Sequence, residues 1–286
     1  SFIGFLSALI ATFLYLSGNV DILSFKNYNN TSASTGFFVN RGVFSIFLLF
    51  CLISSLEYLG NSKNIKDNLI TNIYVRLFVV FITIGLVTTF SRVGNFLLLN
   101  TMLFYMVNEI FFKKEKNNTF RNIILIIILV DICILGIYFG SSRIIDRFNL
   151  LENEFAEIAS TEVNFSRFQI IKFAFYQIYD YLFFGYGPGS FELLFQINFP
   201  DLTNIYANHA HSDLFQFIGE FGLFGFALFF LSIFSFFIKT SYNLKNNLLL
   251  FYLIIILFFD FSLHIPFIQF LFVIFVIFNQ KSIKLS

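Results

Sequence analysis

The chain has 286 residues, of which 57% are hydrophobic and only 12% charged, and its mean hydropathy is +0.79. A soluble domain carries about 25% charged residues, so this balance excludes a water-soluble globular enzyme and specifies an integral membrane protein. The net charge of +1 gives no global field for nucleic acid, and the distribution of charge is the informative quantity.

Apolar runs suited to spanning a bilayer fall at residues 2–16, 43–59, 73–90, 93–112, 122–139, 221–238, 248–263 and 266–279. The expected fold is all-α, a polytopic membrane helix bundle of about eight spans with one long outer loop containing interfacial helices. The chain then divides into N-terminal membrane helices (1–139), that loop (140–220) and C-terminal membrane helices (221–286). The last two runs are separated only by Asp260, His264 and Pro266, which predicts a tight pair or one broken helix. Residue 1 is Ser and the first run starts with no basic segment before it, so it does not read as a signal peptide. Cys51 and Cys133 lie within apolar runs and read as small hydrophobes.

If the spans alternate, Lys63, Lys66, Lys113, Lys114, Lys116, Arg121, Lys239, Lys245, Lys281 and Lys284 fall on one side, which marks it as cytoplasmic. The opposite side then holds Arg41, Arg92, Arg143, Arg147 and Arg167, against the usual bias. Arginines kept on the outer face suit an anionic substrate. Within the long loop, residues 166–185 mix Arg167, Lys172, Gln177 and Asp180 with aromatics, the pattern of a helix lying in the membrane interface. Next comes GYGPGSF, Gly185 to Phe191, whose three Gly and one Pro predict a turn.

The segment from Tyr206, YANHAHSDLFQFIGE, puts polar chemistry directly ahead of an apolar run. Asp213 followed by Gln216 has the spacing of a helix cap, so a helix is expected to start near Ser212 or Asp213 and to enter lipid after Glu220. His209 and His211 would lie at the water boundary, wet and titrating near neutral pH. Gly222 and Gly225 would admit a neighbouring helix. Glu220, at the lipid boundary, needs a partner, for which an arginine is expected. Asp131, mid-span, reads as a packing carboxyl. A metal at His209-x-His211-x-Asp213 is disfavoured because a lone H-x-H has low specificity, and no cofactor fingerprint occurs.

Four segments carry a family resemblance. His211-Ser212 followed at fixed distance by Gly222 and Gly225 resembles the signature of the O-antigen ligase and polymerase superfamily. TGFFVNRGVF (Thr35 to Phe44), TTFSRVGNFLLL (Thr88 to Leu99) and SRF…GYGPGSF (Ser166 to Phe191) are similar to three further segments of that family, in the family's order. Gly42 stands where the family usually has Asn. Members have several helices ahead of the first one here, so the chain is expected to lack N-terminal helices.

The resemblance implies a membrane glycosyltransferase that is metal-independent and uses no cofactor. Such enzymes move a glycan from an undecaprenyl pyrophosphate carrier to an acceptor hydroxyl, here lipid A core or another glycan, at the periplasmic face of the bacterial inner membrane. His211 is then the base or acceptor-orienting group, and Arg92 and Arg167 the groups that meet the leaving pyrophosphate. Arg41 and His209 assist, and Gly187, Pro188 and Gly189 shape a substrate-binding loop. The chemistry of the residues agrees: a guanidinium fork pairs phosphate oxygens, and an imidazole accepts a hydroxyl proton near working pH. A polymerase acting on the same carrier is the nearest alternative. A protein-glycosylating ligase and a transporter of anionic solutes follow.

Overall fold

The computed structural model describes residues 1–17, 33–61, 69–112, 118–133, 167–199, 207–239 and 244–284. Among these residues the chain is all-helical. It divides into two compact units, Ser1–Ile144 and Ile145–Ser286.

The first unit contains α1 (Phe2–Leu16), α2 (Arg41–Asn61), α3 (Leu69–Thr88), α4 (Arg92–Val107) and α5 (Asn118–Cys133), with one π-helical turn, Asn108–Phe112, extending α4. α2 is the central element, because it is apolar on every side. Phe44, Ile46, Leu48, Leu49, Leu52 and Leu56 are all fully buried. A helix apolar all round is stable only when surrounded. α4 lies close against α2 where Gly94 meets Ser45, so close that a Cβ on Gly94 would collide with the serine side chain. Small residues at a crossing let backbones approach, which is how helices associate in an apolar medium.

The second unit contains α6 (Arg167–Asp180), α7 (Phe191–Asn198), α8 (Asp213–Lys239), α9 (Leu244–Phe259) and α10 (Pro266–Lys284). A single 3-10 turn, Ser262–His264, joins α9 to α10, so the last two apolar runs are a tight pair. Pro266 opens α10, where its missing N–H costs nothing. Ile170, Phe173 and Ala174 of α6 pack with Phe191 and Phe195 of α7 and with Ala207 and Ala210 into a small aromatic core. That core anchors the segment leading into α8.

All eight apolar runs contain a helix. Among the described residues four stretches are long and apolar enough to cross a membrane: Arg41–Gly60, Ile70–Thr88, Arg92–Phe112 and Asp213–Ser235. Four shorter apolar helices, Phe2–Leu16, Phe120–Leu129, Asn247–Phe259 and Pro266–Ile277, fall below that length. Asp131 lies on α5, but its side chain and those of Arg143 and Arg147 lie outside the described residues.

α8 is not continuous. Gly222 has φ 66 and ψ 177, which no helix tolerates. In an unbroken helix the N–H groups of Leu223 and Phe224 would bond the carbonyls of Gly219 and Glu220. Instead Leu223 N–H donates to Leu182 O at 2.9 Å and Phe224 N–H to Phe183 O at 3.3 Å. The freed carbonyls of Gly219 and Glu220 accept from Tyr186 N–H at 2.9 Å and Gly187 N–H at 3.1 Å. The turn after α6 is thus inserted into the break and satisfies all four backbone groups, as burial requires. A Cβ on Gly222 would strike the carbonyl of Phe183. Gly222 was expected to admit a neighbouring helix, and what it admits is this turn. Near Gly225 the close neighbour is Phe221 of its own helix.

Candidate functional site

In the first unit, Arg41 and Arg92 are the first residues of α2 and α4. Asn40 precedes α2 and its side chain accepts from Gly42 N–H at 2.6 Å; Ser91 caps α4 through Gly94 N–H at 3.2 Å. The Gly94–Ser45 contact sets the two N-termini at one end of the unit. Segment 33–40 is tied to the same end, because Ser34 N–H donates to Thr88 O at 3.0 Å. Helix N-termini carry partial positive charge, so an arginine at each adds to the positive field, an arrangement that favours anions. The turn between α3 and α4 holds Phe90 at φ 48, a conformation rare for a bulky residue.

In the second unit, His209 and His211 lie on the segment that enters α8. His211 is held at φ 57. Strained backbone of this kind persists only where the surroundings enforce it, and it clusters at functional sites. Here the enforcement is visible on both flanks. Ala210 N–H donates to Gln216 Oε1 at 3.0 Å, Ser212 Oγ donates to Leu257 O at 3.2 Å, and Asp213 N–H donates to Asp260 O at 2.9 Å. Arg167, first residue of α6, donates to the His211 carbonyl at 3.4 Å and to the Phe259 carbonyl, and lies 4.0 Å from the buried Asp260 carboxylate. Arg167 thus reaches the main chain of His211.

The expectation that His211 stays wet and titrates near neutrality is corrected. Burial, then the Arg167 charge, then His209, lower its pKa to about 4, so it is a neutral imidazole at physiological pH. His209 is lowered as well, by burial first and then by the charge of His264. Its ring stacks on Phe261 at 4.7 Å between centroids.

Asp213 does not cap its helix. Its two carboxylate oxygens accept from Leu263 N–H at 2.7 Å and from His264 Nδ1. Glu220 does not pair with an arginine. It accepts from Gln216 Nε2 at 2.8 Å and faces His264 Nε2 at 3.7 Å. The reason is one of register: Asp213, Gln216 and Glu220 are three and four residues apart, so they share a face of α8, and that face meets the 260–264 turn. Burial pulls the His264 pKa down, but the hydrogen bonds and charges of Asp213 and Glu220 outweigh it and raise it to about 9. His264 is thus a cation between two carboxylates, with Phe217 stacked on its ring at 4.1 Å.

By sequence alone His264 and Asp260 do no more than separate two apolar runs. The signal was present: ionisable residues inside an apolar stretch are rarely idle. Gly187, Pro188 and Gly189 lie on the turn docked into the α8 break, and the Gly187 N–H is spent on Glu220 O. Among the described residues no group of three His, Cys, Asp or Glu side chains is placed to hold a metal ion. The carboxylate that would complete a His-x-His-x-Asp set is engaged by His264 and Leu263.

Helices of membrane-crossing length, with charged and imidazole groups gathered at the head of one of them, define an integral membrane protein with a polar site. Residues 77–230 match the family described as O-Antigen ligase, more than half of the chain. The chain belongs to the O-antigen ligase family, which comprises membrane glycan transferases of the ligase and polymerase type. No curated protein and no solved structure matches it. The match ends before the turn that carries Asp260 and His264.

Proposed function

We propose that the protein transfers a glycan from an undecaprenyl pyrophosphate carrier to an acceptor hydroxyl on lipid A core, at the periplasmic face of the bacterial inner membrane. In this reading the apolar helices, short and long, form about eight spans. The observation that carries the proposal is Arg167 drawn against the strained, neutral His211 at the head of an apolar helix.

The acceptor oxygen attacks the anomeric carbon, a new C–O bond forms, and the bond from that carbon to the pyrophosphate oxygen breaks. His211 takes the acceptor proton. Arg167 binds the pyrophosphate and stabilises the charge it gains as it leaves. Arg92 and Arg41, at helix N-termini of the first unit, take anionic groups of the donor in this reading. Gly187, Pro188 and Gly189 border the substrate. The depressed pKa of His211 keeps it unprotonated and ready. Pyrophosphate bound to Arg167 offsets the guanidinium charge and strengthens the imidazole as a base at the moment it is needed.

The test is genetic. In a cell that depends on this chain, His211→Ala and Arg92→Ala are each expected to abolish surface glycan at unchanged protein level, with long carrier-linked polymer accumulating. Wild-type glycan in either variant removes that residue from the mechanism. Loss of long chains with single units still capping the core marks a polymerase instead.

A further inference from the structure

The polar groups on the inner face of α8 form a chain, joined by hydrogen bonds except between His264 and Glu220, which face each other as an ion pair. It begins at Asp213, fully buried, whose oxygens are both acceptors, for Leu263 N–H and for His264 Nδ1. The other nitrogen of His264 faces Glu220 Oε2 at 3.7 Å and has no closer partner. Glu220 Oε1 faces the Gln216 amide at 2.8 Å. A carboxylate only accepts, so the group facing it is the Gln216 NH2. A second contact gives the same assignment: the Gln216 oxygen receives Ala210 N–H, a donor that requires an acceptor. The amide orientation is therefore set twice. The remaining Gln216 N–H faces His209 Nδ1 at 3.5 Å. Nδ1 must accept, and a neutral imidazole carries one proton, so that proton is on Nε2.

We propose that Asp213, His264, Glu220 and Gln216 are positioning residues that hold His209 as a neutral imidazole donating from Nε2, which makes His209 a hydrogen-bond donor to substrate oxygen and leaves proton removal to His211. The second half rests on the glycan-transfer reading, whereas the tautomer does not. The two histidines, two residues apart, thus divide the work. The charge on His264 disfavours a second proton on His209. The Gly187 N–H bond to the Glu220 carbonyl ties the glycine-rich turn to the same chain. The device reaches from the family-matched stretch to a turn beyond it.

The protein has three histidines, so 15N-histidine labelling of the purified full chain reports on His209, His211 and His264 alone, and single variants assign them. His209 is expected to show a protonated Nε2 and a bare Nδ1. Gln216→Glu, which offers Nδ1 an acceptor, is expected to move the proton to Nδ1. A wild-type His209 protonated on Nδ1, or one unmoved by Gln216→Glu, overturns the proposal.

The functional half is read by glycan transfer in membranes that supply native carrier-linked glycan and acceptor. Glutamine places its amide nitrogen where Nε2 stands, and asparagine where Nδ1 stands. His209→Gln is expected to exceed His209→Asn by at least about 10-fold, the value of a hydrogen bond to a charged group. Equal loss in both removes the donor role. If His211→Ala transfers at the wild-type rate, the glycan-transfer reading of that residue falls, while the labelled spectrum still decides the tautomer.

Discussion

Arg167 donates to the main-chain carbonyl of His211 at 3.4 Å and lies 4.0 Å from the Asp260 carboxylate. One guanidinium thus holds a strained histidine and neutralises a buried acid on the α9–α10 turn. Burial raises the Asp260 pKa; the bond from Ser262 Oγ and the charge of Arg167 oppose that. Arg167→Ala should therefore have two separable consequences. Transfer falls by about 100-fold or more, as for loss of a charge-stabilising group. Melting temperature also falls, because a buried acid loses its cation. Adding Asp260→Asn should restore the melting temperature and not the transfer. Recovery of both would assign Arg167 to stability alone.

The pH profile follows from two imidazoles shifted in opposite directions. His211, lowered to about 4, is unprotonated in the folded protein above that pH. Its contribution to stability is present above about 6.5, the unfolded value, and is lost as pH falls from there to about 4. His264, raised to about 9, contributes stability below about 6.5 that is lost as pH rises to about 9. Transfer at limiting donor should describe a bell with limbs near 4 and 9, and His264→Gln should remove the alkaline limb. An acid limb near 6.5 would show His211 to be as exposed as the sequence suggests.

Gly222→Ala tests the break in α8. The residue sits at φ 66, and an added Cβ meets the Phe183 carbonyl. This positive-φ, extended conformation, which is essentially glycine-only, costs a side chain about 1–3 kcal/mol, and the collision adds to this. The expected result is a lower melting temperature, with earlier proteolysis in the turn after α6, since that turn satisfies its backbone groups through the break. An unchanged melting curve would mean that α8 runs straight through Gly222.

Gly94→Leu tests the alignment of Arg41 and Arg92. The new side chain would strike Ser45 and force α4 away from α2. Donor binding, read as the KM for carrier-linked glycan, should weaken, and Ser45→Gly should restore part of it by making room. An unchanged KM in Gly94→Leu would show that the spacing of these two helix ends does not matter to the donor.

Much of this protein was legible in one dimension. Lipid leaves helices as the economical way to satisfy a backbone, so eight apolar runs translate into eight helices without knowledge of their neighbours. Glycine and proline at 185–189 gave a turn for the same local reason, and Asp213 was correctly read as the place where α8 starts. The role of Asp213 is not the cap that its position predicts, because capping is the local option and the carboxylate has non-local partners in Leu263 and His264.

The sequence by itself determined the helical class and the membrane setting, since these depend on composition and on side-chain chemistry. Only the tertiary structure decided that the turn after α6 fills the gap at Gly222, that His264 lies between Asp213 and Glu220, and that His211 is neutral beside Arg167. Each of these joins residues between 33 and 51 positions apart, and a pKa or a tautomer is a property of the groups that surround an atom in space, which no spacing along a chain contains.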